Sequence, residues 1–289
     1  MQKRTSISPQ TKVYALIGNP VSHSMSPAIH NGAFVALNLD CIYVAFQVED
    51  VKNALAGMRA LDNFRGMSVT IPHKIEVMQY VDEIPDVDRH IGSINTVVKE
   101  DGKLIGFGTD GPGALKAIGD AGVELAGKNV LMLGAGGAAR AIAFTLAQKG
   151  SIGKLVLLDI NEDFLSGLTG DLKSGTNAVI ASGLLNEAAV EEHMASSDLI
   201  INCTPVGMHP NEDATLVPDH LFRPGQVVFD VVYNPLETKL LRQAKAKGIK
   251  VIPGVEMFIN QAILQFERFA GADAPEELMR SVVMERLSS

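Results

Sequence analysis

The chain has 289 residues, 46% of them hydrophobic and 5% aromatic, and 25 Lys+Arg against 33 Asp+Glu give a formal charge of −8. At about 100–200 residues per domain this length predicts two domains, each large enough to bury its own core. The acidic balance is the opposite of a nucleic-acid binder's footprint and argues against a DNA, RNA or anionic-membrane partner. Two cysteines, Cys41 and Cys203, are too few for a disulfide framework or a thiolate metal site and point to a reducing, cytoplasmic setting.

From the N-terminus, Met1–Gln10 carries two positive charges with no apolar stretch behind them, which reads as a disordered lead-in and not a secretory signal. No run of 18 apolar residues follows, so no membrane span is expected. Strands are predicted at Val13–Ile17, Ile42–Phe46, Met67–Thr70, Ile94–Lys99 and Leu104–Phe107, with helices at Ala28–Leu39 and Val51–Leu61 and a hairpin turn at Asp101-Gly102. After Gly111-Pro112-Gly113 six more strands follow, Asn129–Leu133, Lys154–Asp159, Ala178–Ala181, Leu199–Asn202, Val227–Val232 and Lys250–Ile252, each separated by a helix-compatible segment. That rhythm is α/β, and six such strands make a complete doubly wound dinucleotide fold. Beyond Gly254 come two helices and no strand. Val255, Phe258, Ile259, Ala262, Ile263, Phe266 and Phe269 keep a 3.6-residue period, so this tail is expected to pack back on the first domain. With 27 glycines and no Trp, many tight strand–helix turns and an aliphatic core are expected.

The strand at Asn129–Leu133 runs into Gly134-Ala135-Gly136-Gly137-Ala138-Ala139, a G-x-G-x-x-A loop opening a helix to Gln148. Gly134 permits the turn, Gly136 lets backbone approach a pyrophosphate, Ala139 allows close helix–strand packing, and the helix N-terminus offers N–H groups to phosphate. The next strand ends in Asp159, where a carboxylate can bind adenosine ribose hydroxyls and repel a 2′-phosphate. No Arg lies between Lys154 and Leu172, so NAD is favoured, with NADP possible in principle. The competing reading makes Asp159 a cap for the following helix. Arg140, in the first turn after the loop, reads as a surface or interdomain ion pair.

Four polar segments of the first domain fall where strands run out, the place where α/β ligand sites collect. In Gly18–Pro27, Ser26-Pro27 is a helix start with Ser26 as N-cap, while Ser24 with the helix N-terminus could hold a carboxylate. In Ser68–Lys74, Lys74 follows a strand end and a proline that can aim it into a cleft. Asn95, in Gly92–Thr96, is either a turn residue or an amide reading a hydroxyl. Asp110, in Gly106–Gly111, is either a helix cap or a functional acid. Gln261 lies near the buried stripe of its helix, where an amide needs a partner, and Tyr233 is either core or site.

In chain order, Gly18-Asn19-Pro20 with Ser24-x-Ser26-Pro27, Val69-Thr70-Ile71-Pro72-x-Lys74, Ile94-Asn95-Thr96, Thr109-Asp110-Gly111, the Gly134–Arg140 loop, Asn202–Met208, Val231-x-Tyr233-Asn234-Pro235 and Gly254–Gln261 resemble the shikimate dehydrogenase family, including its quinate/shikimate members. The likeness runs from about Val13 to the C-terminus. It implies an N-terminal α/β substrate domain, residues 1–110, completed by C-terminal helices, residues 254–289, with a six-stranded Rossmann NAD(P)-binding domain, residues 111–253, inserted between. It also implies that Ser24 and Ser26 bind the substrate carboxylate, that Thr70, Asn95 and Gln261 read ring hydroxyls, and that Tyr233 borders the substrate. Lys74 and Asp110 are the implied catalytic pair, and Thr204, Val231 and Gly254 join Gly134, Ala135, Gly136, Gly137, Ala138 and Asp159 as cofactor residues. The implied reaction is reversible oxidation of shikimate to 3-dehydroshikimate, with quinate as a further substrate, by a monomer or homodimer. Two departures stand out: Gly108 where the family commonly has Asn, and Asp159-Ile160-Asn161 where its NADP-using members have Asn-Arg-Thr.

Other chemistries find less support. His23, His30, His73 and His90 show no ligand spacing, so no metal is expected. Asn202-Cys203-Thr204 is a coincidental sequon at a strand end, Cys203 reads as a small core residue, and no G-x-S-x-G elbow occurs. The alternatives are a non-catalytic NAD-binding regulator, which would not need Lys74 and Asp110, and a methylene-tetrahydrofolate dehydrogenase, which would not explain Ser24 and Ser26.

Overall fold

The structure, a computed structural model, describes residues 7–287. Met1–Ser6 of the expected lead-in lie outside the described residues. Its remainder is ordered by a turn in which the Ser8 N–H donates to Thr11 Oγ1 (2.9 Å) and the Thr11 N–H to the Ser8 carbonyl (3.1 Å).

The chain forms two units, Met1–Thr109 with Gln261–Ser289, and Asp110–Asn260. The first contains β1 (Lys12–Gly18), α1 (Ser26–Ala36), β2 (Cys41–Gln47), α2 (Val51–Ala60), β3 (Phe64–Val69), α3 (Asp86–Ile91), β4 (Thr96–Glu100) and β5 (Lys103–Phe107). Its sheet has the order β2-β1-β3-β4-β5, the first three strands parallel and the last two antiparallel. β4 and β5 close on the expected Asp101-Gly102 hairpin, Glu100 facing Lys103. Because β2 and β3 lie on opposite sides of β1, the carboxyl end of β1 is a topological switch point, where the loops after β1 and β3 diverge and leave a crevice. β4 starts and β5 finishes at this same end, since Ser68 pairs with Thr96 and Thr96 with Phe107.

Successive residues of β1 point to opposite faces. Ala15 and Ile17 pack with Val51, Leu55, Phe64, Met67 and Val97. Tyr14 instead joins an aromatic cluster with Phe34 and Phe269, and the Tyr14 hydroxyl donates to the Phe269 carbonyl at 2.6 Å. The expectation of an aliphatic core is therefore corrected on this face of the sheet, where aromatic rings pack together, while the opposite face is largely aliphatic. Phe266 and Phe269 come from the C-terminal helix, so the tail does complete this unit.

The second unit runs α4 (Asp110–Asp120), β6 (Asn129–Leu133), α5 (Gly137–Lys149), β7 (Lys154–Asp159), α6 (Glu162–Gly175), β8 (Val179–Leu184), α7 (Glu187–Met194), β9 (Leu199–Asn202), β10 (Val227–Asp230), α8 (Lys239–Ala246) and β11 (Lys250–Ile252). Its all-parallel sheet, β11-β10-β9-β6-β7-β8, is the doubly wound Rossmann order, with the switch point between β6 and β9. Here the core is aliphatic, with Leu131, Leu133, Val156, Leu158, Ile200 and Val228 buried together. Two helices follow, α9 (Gly254–Ala270) and α10 (Glu276–Leu287). The second unit boundary falls inside α9, between Asn260 and Gln261, and not at Gly254. The first turns of α9 belong to the Rossmann unit, because Phe258 stacks on Tyr233 (4.4 Å) and the Asn260 amide reaches Asp120. Among the described residues no helix is long and apolar enough to cross a membrane.

Candidate active site

In the first unit the predicted residues collect at the carboxyl end of β1 and β3. The Thr70 N–H donates to the Ile17 carbonyl (2.9 Å) and the Asn19 N–H to the Ile71 carbonyl (2.9 Å), which ties the two loops together. Ser24 and Ser26 follow β1; Thr70 and half-buried Lys74 follow β3. The expected capping role of Ser26 is corrected. α1 begins at Ser26 itself, Met25 occupies the N-cap without a side-chain bond, and Ser24 Oγ accepts the Ser26 N–H (3.2 Å). Ser26 is thus a buried hydroxyl in the first turn and not a cap.

Asn95 lies just before β4, buried, with its amide enclosed by neighbours. Oδ1 accepts from the Thr109 N–H (2.8 Å), Thr109 Oγ1 (3.1 Å) and Thr96 Oγ1 (3.0 Å), and Nδ2 donates to Thr109 Oγ1 (2.9 Å) and Gln261 Oε1 (3.4 Å). Gln261 thereby finds the partner that its burial requires. Thr109 has no role assigned from sequence, because its bonds run to Asn95, fourteen positions away, and leave no local signal. Also missed was a buried chain beneath the site: the Tyr43 hydroxyl donates to Ser68 Oγ (2.6 Å), Ser68 Oγ to Gln265 Oε1 (2.8 Å), and Gln265 Nε2 to the Asn95 carbonyl (3.1 Å). At Gly108 a β-carbon would lie 2.8 Å from Asp88 Oδ1, so a carboxylate of α3 takes the room that a side chain would need.

In the second unit Gly134 has φ +107°, and a β-carbon there would sit 3.0 Å from the Cys203 backbone, so turn and strand spacing both require glycine. A β-carbon on Gly136 would meet nothing within 4 Å, and Gly136 caps α5 without a side-chain bond. The first N–H groups of this thirteen-residue helix therefore have no side-chain cap, as pyrophosphate binding requires. Asp159 Oδ2 accepts the Ala135 N–H (2.5 Å) and Oδ1 the Asn161 N–H (2.7 Å). The capping alternative for Asp159 is corrected, because Asn161 caps α6 by accepting the Phe164 N–H (2.9 Å). Arg140 pairs with Asp171 on α6, within its own unit.

Across the switch point Thr204 follows β9, Val231 and Tyr233 follow β10, and Gly254 opens α9. Asp110 opens α4 and is 5% exposed. Cys203 reads as inert: burial pushes its thiol up, reinforced by the Asp230 and Asp110 carboxylates. Three of the histidines have separate structural settings. His30 is enclosed among aromatic rings, His73 Nε2 contacts the Val48 carbonyl (2.7 Å) and His90 Nδ1 the Asp86 carbonyl (2.6 Å). Among the described residues no group of three or more His, Cys, Asp or Glu is placed to hold a metal.

A Rossmann unit with an uncapped glycine loop, joined to an α/β unit with hydroxyls, amides and a lysine at its switch point, defines a nicotinamide-dependent dehydrogenase. Residues 16–97 match the family model described as shikimate dehydrogenase substrate binding domain, and residues 254–284 that of the shikimate 5'-dehydrogenase C-terminal domain. The chain belongs to the shikimate dehydrogenase family. Shikimate dehydrogenase (NADP(+)) of Moorella thermoacetica is 42% identical over 281 residues, covering 96% of this chain and 95% of its own. A crystal structure of a shikimate dehydrogenase in complex with NADP+ matches with a TM-score of 0.90 at 37% identity over 99% of both chains. Shikimate 5-dehydrogenase from Listeria monocytogenes, in complex with shikimate and NAD, matches with a TM-score of 0.88 at 33% identity, covering 96% of this chain and 98% of its own.

Proposed function

We propose that this protein catalyses the reversible oxidation of shikimate to 3-dehydroshikimate, with NAD preferred over NADP and quinate as a slower substrate. The observation that carries the reading is the convergence of Ser24, Ser26, Thr70, Lys74, Asn95 and Gln261 at one sheet end, in a chain whose relatives are named for shikimate. A bound nicotinamide dinucleotide supplies the hydride acceptor. Ser24 and Ser26 hold the carboxylate beside the α1 N-terminus, where anions are favoured. Gln261, oriented by Asn95, and Thr70 read the ring hydroxyls. As the ring carbon gives up its hydride, Lys74 takes the proton of the same carbon's hydroxyl, so that a ketone forms; in the reverse direction it returns that proton to the alkoxide. Asp110 is the second proton-handling group, and Tyr233 borders the substrate.

The relatives cited are NADP(+) enzymes by name or were solved with NADP+ or with NAD. The NAD preference rests on this chain's own residues. Asp159 ends β7, Glu162 and Asp163 fill the first turn of α6, and no Lys or Arg occurs from Leu155 to Leu172, so a 2′-phosphate would enter negative charge. Gly134, Ala135, Gly136, Gly137 and Ala138 cradle the pyrophosphate, while Thr204, Val231 and Gly254 take the nicotinamide half.

Initial rates with shikimate and quinate, each with NAD and NADP, test the reading. The highest kcat/KM is expected for shikimate with NAD. No turnover in any of the four combinations overturns the function, and a higher kcat/KM with NADP overturns the cofactor preference.

A further inference from the structure

Asp230 ends β10 with no exposed surface, yet no role follows for it from the loop or the ribose acid. Its carboxylate is met from three directions. Oδ1 accepts from Asn202 Nδ2 (2.9 Å) and from the Val232 N–H (3.1 Å), and Oδ2 accepts from Thr238 Oγ1 (2.5 Å). Asn202, at the end of β9, spends the rest of its amide on the next loop. Nδ2 also donates to the Val206 carbonyl (3.2 Å), and Oδ1 accepts the Thr204 N–H (3.1 Å) and Thr204 Oγ1 (2.7 Å). Thr204 Oγ1 in turn accepts the Val206 N–H (3.2 Å).

A buried carboxylate is costly unless it is hydrogen-bonded, and bonds to a charged group are the stronger kind. This one therefore fixes the conformation of whatever it touches, namely two segments without regular structure of their own, 203–207 and 231–233. Thr238, the third partner, is the N-cap of α8 and anchors the carboxylate to a helix. Gly254 sits directly on the second segment, where a β-carbon would come within 2.5 Å of the Val231 carbonyl and 2.4 Å of the Val232 carbonyl. Thr204, Val231 and Gly254 are the residues assigned above to the nicotinamide half.

We propose that Asp230 is a positioning residue for hydride transfer: through Asn202, Val232 and Thr238 its carboxylate sets the two strand-end loops that hold the nicotinamide half of the dinucleotide, while the adenosine half depends on the Gly134 loop and Asp159. The proposal rests on the dinucleotide reading of the Rossmann unit. It separates the two halves of one ligand, and that separation is what a merely structural residue would not produce.

The test uses the full chain carrying Asp230→Asn, with calorimetric Kd values for the intact dinucleotide and for ADP-ribose, beside steady-state kcat and KM. Expected are a rise of about tenfold in dinucleotide Kd and a fall of about tenfold in kcat, with ADP-ribose Kd within about twofold of the unsubstituted protein. Thr238→Val, which removes one donor, should shift the same constants by less, and Thr238→Ser, which keeps the hydroxyl, should restore them. If NADP is the better dinucleotide, 2′-phospho-ADP-ribose replaces ADP-ribose. Unchanged dinucleotide Kd and kcat in Asp230→Asn overturn the proposal, as does an equal loss for the fragment. An unsubstituted protein that binds neither dinucleotide overturns the dinucleotide reading itself, whereas an active one beside an unaffected Asp230→Asn overturns the positioning role alone.

Discussion

Lys74 brings a flexible four-carbon stem to the turn after β3, where the Lys74 carbonyl accepts the Ile94 N–H at 2.9 Å and so fixes its backbone beside Asn95. Lys74→Ala should lower kcat by about 10²–10⁴-fold, the usual worth of a positioned acid or base, with a smaller change in KM. Initial rates at saturating shikimate measure this, and a variant of near-normal kcat removes Lys74 from proton transfer. Residues with a strand end, a proline or a glycine beside them were legible in the sequence because the neighbour signals the geometry. Thr109, Thr96 and Tyr43 were not, since their partners are hydroxyls and amides that only the sheet brings near. The same limit misread Ser26, because Ser-Pro has one local meaning as a cap and the helix began one residue early.

At the scale of elements, β7 and the β6–α5 loop are joined by one side chain, the Asp159 carboxylate shared between the Ala135 and Asn161 N–H groups. Asp159→Ala should cut the ratio of kcat/KM for NAD over NADP by about tenfold or more, since a ribose hydroxyl partner is lost and a charge opposing the 2′-phosphate disappears. Two N–H groups also lose an acceptor, so both cofactors are expected to bind less tightly; the ratio is the diagnostic quantity. An unchanged ratio removes Asp159 from cofactor choice. The strand–loop–helix–strand run was legible almost residue by residue, because period, glycine spacing and the terminal acid agree. By contrast α3, six residues long with Ile91 its buried side chain, has too little periodicity to announce itself.

Across the whole molecule two buried ionisable groups respond to pH in opposite directions, one in each unit. His30 stacks on Tyr43 (4.5 Å) in a fully buried position, and burial pushes it down to about 3, partly offset by the neighbouring Gln265 amide. An unfolded chain takes up that proton near 6.5, so the contribution is fully present above about 6.5 and is lost as pH falls toward 3. Asp230 is pushed up to about 6 by burial, against about 3.9 unfolded, so its contribution is largest below about 4 and declines as pH rises to 6. Urea unfolding should show the stability of His30→Leu gaining about 2 kcal/mol on the parent between pH 6.5 and 5. For Asp230→Asn the difference should move the other way between pH 4 and 6. A flat difference over its window removes that residue from the pH response. The insertion of one unit into the other was legible from motif order, whereas the seam was not, since nothing in an uninterrupted helical period marks where α9 changes neighbours. That continuity bears on how the chain is made. The Rossmann unit is contiguous and can close as it leaves the ribosome, whereas Tyr14, Phe34 and Tyr43 must wait for Phe266 and Phe269. At synthesis rates of about 5–20 residues per second that wait is roughly ten to fifty seconds, a window in which a half-built aromatic cluster is open to chaperones and to other nascent chains.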